Sequence, residues 1–193
     1  MALLQIWVRN MASKKDIRKS VLQKREQLTD RQWTIQSAVI CKKVLAQAVF
    51  GNSDCIYCYV DYKREVGTCA IIEAAWKMGK KVAVPIVHGD DMHFGYLSSW
   101  DELSEGYKGI LEPRHFIPAE DETPLVIMPG AVFDRQRNRI GYGKGYYDKF
   151  LGTHPHCKTL AIAFELQLVD EVPAEPLDIR PQVLITEEHI YDD

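Results

Sequence analysis

Ten residues, Arg139-Ile-Gly-Tyr-Gly-Lys-Gly-Tyr-Tyr-Asp148, hold the densest chemistry in the sequence. Glycines at 141, 143 and 145 let a backbone approach a ligand closely and turn several N–H groups one way. Arg139 and Lys144 add positive charge, with Arg135 and Arg137 nearby. A helix starting just after the glycines would add its positive end. This is chemistry for a phosphate. The spacing is neither that of a P-loop nor that of the dinucleotide fingerprint, whose third glycine comes one residue later. Three alternate glycines alone would suit a surface loop equally well. Arg139 before them and Tyr146-Tyr-Asp148 after them favour a binding loop.

Asp148 sharpens that reading. A carboxylate beside a polyphosphate repels it unless a cation intervenes, and Mg²⁺ held by one or two carboxylates and phosphate oxygens resolves the conflict. Asp178, in the acidic C-terminal segment, is a candidate second carboxylate; a turn residue in the Pro-rich stretch Val172 to Pro181 is the plainer alternative. Lys14 and Arg18 stand i, i+4, so on a helix they share a face and could reach one phosphate, although such faces are usually just solvated. Glu65, in Lys63-Arg-Glu-Val-Gly-Thr68, could accept hydrogen bonds from a nitrogen-rich heterocycle, or be an ordinary loop residue. Cys55-x-x-Cys58 invites a redox or zinc reading, but an offset of three in a strand sends the side chains to opposite faces. No second cysteine pair completes a zinc site, so small buried hydrophobes are the better account. The six histidines lack metal-ligand spacing, and no Gly-x-Ser-x-Gly elbow is present.

Elements must position these loops. Ser13 can cap a helix to about Gln27, with Ile17, Val21 and Leu28 among six cations. Thr29-Asp-Arg-Gln32 has capping-box spacing, and a second helix carries Trp33, Ile40, Val44 and Leu45 to just before Gly51. Cys55 to Val60 reads as a buried strand, and Asp61 to Gly67 as a charged loop. Thr68 is expected to cap a helix through Ile71, Ile72, Ala75 and Trp76, with Gly79 as its C′ residue. Strands follow at Val82–Ile86, His93–Leu97, Leu125–Met128, Leu160–Phe164 and Val183–Thr186, and residues 98–124 read as loop. After the glycines a helix runs to about Leu151. Strand, helix, strand within 55–86 has the size of a βαβ unit. The expected fold is a single three-layer α/β domain, Rossmann-like, with a mostly parallel sheet and helices on both faces. Ligands bind such sheets at the carboxyl ends of strands, where the loops 61–67 and 129–148 leave.

A chain of 193 residues with 46% hydrophobic and 26% charged residues suits one such domain and excludes a disordered chain, a collagen and a coiled-coil rod. Residues 11–193 are expected to form it, with 1–10 a disordered extension ahead of Met11. The opening stretch is too short for a membrane span and lacks the marks of a secretory signal. Five cysteines and no signal point to a reducing compartment, the cytoplasm. The net charge of −3 hides an asymmetry: twelve Lys/Arg against five Asp/Glu in residues 1–64, and nine Asp/Glu against one cation, Arg180, in residues 165–193. A phosphate–cation site would explain it, but on charge alone two solvated faces are the better account. The cations lack the interleaved aromatics of a nucleic-acid platform.

Longer motifs carry a resemblance. Pro129-Gly-Ala-Val-Phe-Asp134 followed by Asn138 to Leu151 closely resembles the signature of the 5-formyltetrahydrofolate cyclo-ligase family, also called 5,10-methenyltetrahydrofolate synthetases. Lys14-Lys-Asp-Ile-Arg18, Glu65-Val-Gly-Thr68, Tyr107 to Pro113, Val172-Pro173, Asp178 and Thr186 resemble further family segments in order. Gln182 departs from an aspartate often found there. The resemblance implies ATP- and Mg²⁺-dependent closure of 5-formyltetrahydrofolate, free or polyglutamylated, to the 5,10-methenyl form by a monomer or homodimer. The formyl oxygen is phosphorylated, N10 attacks the activated carbon, and phosphate leaves. By the same resemblance, Lys14 and Arg18 contact ATP phosphates. Arg139, Gly141, Tyr142, Gly143, Lys144, Gly145, Tyr146 and Tyr147 cradle the triphosphate, with Arg139, Lys144 and Tyr146 nearest the chemistry. Asp148 and Asp178 hold the metal, and Val60, Glu65 and Tyr146 meet folate. Trp100 and Phe94 are weaker candidates for the folate slot. Two alternatives stay open on the residues alone: another small-molecule phosphoryl transfer, or a folate- or nucleotide-binding protein without turnover.

Overall fold

A computed structural model describes residues 13–106, 109 and 111–192; the expected extension, residues 1–10, lies outside them. Helix α1 (Lys14–Glu26) starts where the Ser13 hydroxyl accepts from the Asp16 N–H. Helix α2 (Asp30–Leu45) begins with the full capping box of Thr29 and Gln32. A single helical turn, Ala48–Gly51, precedes strand β1 (Cys55–Cys58). Helix α3 (Cys69–Lys77) leads into β2 (Lys81–His88), which turns back as β3 (Asp91–Tyr96).

Thr68 sits at the first cap of α3 but does not cap it with its side chain. Its hydroxyl donates to the Tyr59 carbonyl at 2.9 Å and lies 3.1 Å from Asp61 Oδ1, while its N–H donates to Asp61 Oδ1 at 2.9 Å. Thr68 therefore closes the neck of the 61–67 loop.

Residues 98–124 are not wholly loop. A 3₁₀ turn at Trp100–Glu102 leads to a small hairpin of β4 (Leu103–Glu105) and β5 (Leu111–Pro113). Three-residue strands such as Leu103-Ser-Glu105 are too short to show an alternating pattern. Strand β6 (Leu125–Met128) follows, then a hairpin of β7 (Val132–Phe133) and β8 (Arg139–Ile140). Helix α4 (Tyr146–Thr153), β9 (Lys158–Ile162), β10 (Val183–Ile185) and β11 (Ile190–Tyr191) complete the chain.

The main sheet has the order β11-β10-β9-β6-β1-β2-β3. Its five inner strands are parallel, and β3 and β11 join its edges antiparallel. Alternation along the strands feeds two cores. Ile56, Cys58, Leu125, Ile127, Leu160 and Ile162 pack under α2 and α3; Cys55, Tyr57, Val126, Met128 and Ala161 pack under Phe150 and Leu151 of α4. Cys55 and Cys58 thus face opposite sides as free, buried thiols, and burial pushes both thiol pKa values up. Neither is suited to attack at neutral pH. Among the described residues, no helix is long and apolar enough to cross a membrane.

The topology fixes the site. From β1 the chain steps to β2 on one side, then crosses back to β6 on the other, so the strand order reverses between β1 and β6. The crevice outside the carboxyl ends of strands at such a switch point is where ligands bind. Loop 61–67 leaves β1 there and the 129–145 segment leaves β6 beside it, in the register Cys58↔Ile127. Helix α1 packs across the β7–β8 hairpin through Val21, against Val132 and Ile140.

Candidate active site

A cavity of about 480 Å³ opens at this switch point. One wall is the glycine-rich loop, with Arg139, Gly141, Tyr142, Lys144, Gly145, Tyr146, Tyr147 and Asp148. The other is the end of β1 and its loop, with Tyr59, Val60, Tyr62, Lys63 and Glu65; Pro85, Val87 and Met92 form an apolar side. The two loops singled out from sequence therefore face each other across one space.

Arg139 is held before any ligand arrives. Strand pairing of β8 with Phe133 fixes its backbone. Its Nη2 donates to Asp148 Oδ1 at 2.6 Å, and its guanidinium carbon lies 5.9 Å from the centre of the Tyr147 ring. Arg139 is 7% exposed, and its Nε has no hydrogen-bond partner. Asp148, in the first turn of α4, also accepts the Ile179 N–H at 3.0 Å on the same Oδ1. Asp148 Oδ2 takes no hydrogen bond among the described residues. The Tyr147 hydroxyl is buried without a partner, beside the cavity its ring lines. Burial holds its pKa well above the ordinary phenol value, so it stays a donor.

Gly143 has φ +101°, a conformation L side chains rarely adopt, and a Cβ there would come within 3.0 Å of Arg18 Nη1. Arg18 therefore lies directly against the loop. Lys14 lies further off: its Nζ is 2.6 Å from Asp178 Oδ2 and 3.1 Å from Glu175 Oε1. Asp178 also closes its own turn, accepting the Glu175 N–H at 2.8 Å. The expected phosphate cation and the expected metal carboxylate are thus paired with each other. Asp178 is joined to the cavity through its neighbour Ile179, whose N–H binds Asp148.

Glu65 is positioned by a tight turn. Lys63 and Arg64 both have positive φ, 45° and 58°. The Glu65 N–H donates to the Tyr62 carbonyl at 3.1 Å, and the Tyr62 N–H returns to Glu65 Oε2 at 2.9 Å. The indole N–H of Trp33 donates to the Glu65 carbonyl at 2.6 Å. Burial, opposed by the Tyr142 hydroxyl, the Tyr62 N–H and Arg25, leaves the Glu65 pKa above the usual carboxylate value.

Arg25 was counted from sequence only among the cations of the first helix. It is 4% exposed and lines the cavity. The signal that finds it is periodicity: Lys14, Arg18, Val21, Arg25 and Leu28 fall on one helical stripe, and Val21 and Leu28 are core. Phe94 and Trp100 do not line the cavity. Phe94 is 2% exposed and stacks on Tyr57 in the core, 4.6 Å between ring centres. Trp100 packs edge-on against Trp76 and donates to Glu73.

The donor set suits a hard dication: oxygen ligands only, with Asp148 Oδ2 available beside a loop of backbone N–H groups. Asp178 Oδ2 is engaged by Lys14 and by the Glu175 N–H.

Comparison with known proteins shows the family and the fold. A model of the 5-formyltetrahydrofolate cyclo-ligase family matches residues 10–187. The mouse 5-formyltetrahydrofolate cyclo-ligase is 27% identical over 200 residues, covering 94% of this chain and 95% of its own length. The Escherichia coli enzyme of the same name is 26% identical over 183 residues, covering 89% of this chain and 99% of its own. A related Arabidopsis thaliana protein carries the description mitochondrial. The solution structure of the Aquifex aeolicus 5,10-methenyltetrahydrofolate synthetase superposes with a TM-score of 0.82 at 28% identity, covering 93% of this chain and 92% of that one.

Proposed function

The chain belongs to the 5-formyltetrahydrofolate cyclo-ligase family, and from that premise we propose that it closes 5-formyltetrahydrofolate to 5,10-methenyltetrahydrofolate with ATP, in the cavity between the glycine-rich loop and loop 61–67. The observation that carries this assignment is that single cavity, with a phosphate-type wall and a carboxylate-bearing wall. A bisubstrate reaction needs both.

An amide-like formyl oxygen is a poor leaving group. Transfer of the γ-phosphoryl group to it makes phosphate the leaving group when N10 attacks the carbon. Such chemistry asks the protein for positioning, charge neutralisation and exclusion of water more than for a covalent nucleophile. Arg139 supplies a buried positive charge fixed by Asp148. The Gly141–Gly145 backbone, Arg18 and Lys144 receive the phosphates, with Tyr142, Gly143 and Tyr147 in the same wall. Tyr146, in the glycine-rich wall with its hydroxyl donating to the Gly89 carbonyl, is assigned to the boundary between nucleotide and folate. Glu65 and Val60 receive the pterin side, where a carboxylate matches ring N–H donors. Asp148 and Asp178 would hold Mg²⁺, which would supply neutralisation of phosphate charge.

Mixing the protein with MgATP and 5-formyltetrahydrofolate should produce the near-ultraviolet absorption of the methenyl product, and omission of ATP should abolish it. A phosphorylated folate that accumulates without that band would indicate a different phosphoryl transfer. Binding of both ligands without ADP release would indicate a non-catalytic protein.

A further inference from the structure

Arg25 touches both walls of the cavity. Its Nη1 donates to the Tyr142 hydroxyl at 2.7 Å, in the glycine-rich loop. Its Nη2 donates to the Lys63 carbonyl at 3.1 Å, in loop 61–67. Its guanidinium carbon sits 5.7 Å from the centre of the Tyr142 ring, and Glu65 feels its charge. The side chain is 4% exposed, and its Nε has no partner, so its bonding is committed to these two loops. The Tyr142 hydroxyl in turn donates to the Glu65 carboxylate, so Arg25 braces a contact that already spans the two loops.

We propose that Arg25 is a positioning residue that makes nucleotide and folate binding cooperative, by holding the Tyr142 loop and the Lys63 carbonyl with one guanidinium. The proposal rests on the two-substrate reading above. Its physics is that of a shared strut. Lys63 and Arg64 have positive φ, which non-glycine residues adopt only at a cost, so loop 61–67 carries backbone that needs external support. A nucleotide that orders the glycine-rich loop fixes Tyr142 and hence Arg25. Arg25 then holds the Lys63 carbonyl, two residues before Glu65, so that part of the ordering of the second loop is already complete when folate arrives. Linkage makes the effect reciprocal: each ligand must tighten the other by the same factor. Arg25 itself need not touch either reacting centre.

The test is equilibrium binding of a non-hydrolysable ATP analogue with Mg²⁺, with and without saturating 5-formyltetrahydrofolate, and the converse titration. Wild type is expected to show mutual tightening of about 5-fold or more. Arg25→Met should bring that factor close to one, with the affinity for each ligand alone changing less than the factor itself. Tyr142→Phe removes the hydroxyl that accepts from Arg25 and donates to Glu65 on a half-exposed ring, so it keeps the question answerable should Arg25→Met fold poorly. It too should lower the factor, and the double variant should lose no more than Arg25→Met does. Binding of both ligands with the wild-type factor intact in either folded variant overturns the role of Arg25 alone. A wild-type factor of one overturns it as well. Failure of the wild-type protein to bind either ligand overturns the two-substrate reading itself, and the strut with it.

Discussion

Lys14 Nζ lies 2.6 Å from Asp178 Oδ2, across 164 positions of sequence, and joins the first turn of α1 to the acidic tail. Both side chains are 24% exposed, and a pair that open to water contributes about 0–1 kcal/mol. Its removal should therefore cost little stability. Lys14→Met is expected to shift Tm by no more than about 4 °C. If the lysine transfers to phosphate when ATP enters, the same change should raise KM for ATP by about tenfold, the loss of one charge-assisted hydrogen bond. Steady-state kinetics and a thermal melt on the same preparation check both. An unchanged KM would leave Lys14 as a tether for the tail and nothing more.

Arg139 and Asp148 differ from that pair because Arg139 is buried. Its side chain is 4% exposed against 23% for Asp148. Taking away the carboxylate strands a buried cation, which typically costs about 3–5 kcal/mol. Asp148→Ala is therefore expected to be unstable as well as inactive. Asp148→Asn keeps an oxygen for the Ile179 N–H and should fold better. Arg139→Met should lower kcat by about 10²–10³-fold, the range seen when a preorganised charge-stabilising donor is lost. Circular dichroism and turnover measured together separate the two effects; near-wild-type kcat in folded Arg139→Met would remove it from the chemistry.

Sequence reading found the loops more readily than the contacts. The glycine spacing, the run Leu125–Met128 and the capping box of Thr29 and Gln32 are local signals, and the structure repeats them. Lys14 with Asp178, Arg25 with Tyr142 and Trp33 with Glu65 are long-range partners, and no local pattern encodes a partner 117 residues away. Arg25 was partly legible, since its helical stripe includes core residues, yet a cation among six on one helix reads as solvated. Thr68 shows the reverse error. Its position fits a cap, but the Tyr59 carbonyl and Asp61, brought near by the loop it closes, compete for its hydroxyl.

Glu65 sets function against stability. Burial raises its pKa in the fold, so the folded state binds that proton more tightly than the unfolded chain. The sign follows: the fold is favoured below the ordinary glutamate pKa, and the advantage is lost as pH rises through the raised folded value. Above that folded value the full cost of the buried charge is present. Glu65→Gln should therefore raise Tm at neutral pH, and the gain should shrink as pH falls below the carboxylate range. The same change should impair folate use, seen as a higher KM for 5-formyltetrahydrofolate at constant KM for ATP. A Tm difference independent of pH would show that the charge of Glu65 is not what the fold resists.

Trp33 offers the most selective test of the folate wall. Its indole N–H donates to the Glu65 carbonyl at 2.6 Å, and the ring lies against Gly67, where a Cβ would come within 3.1 Å of Trp33 Cζ2. The ring cannot retreat without breaking the bond that fixes Glu65. Gly67→Ala is thus expected to displace the loop and cost about 1–3 kcal/mol, as overpacking does. Trp33→Phe keeps most of the apolar contact and deletes the donor. It should raise KM for 5-formyltetrahydrofolate several-fold, with KM for ATP held within about twofold, because the glycine-rich loop takes no hydrogen bond from Trp33. Kinetics in which both KM values rise together would mean that Trp33 supports the whole cavity rather than the loop that presents Glu65.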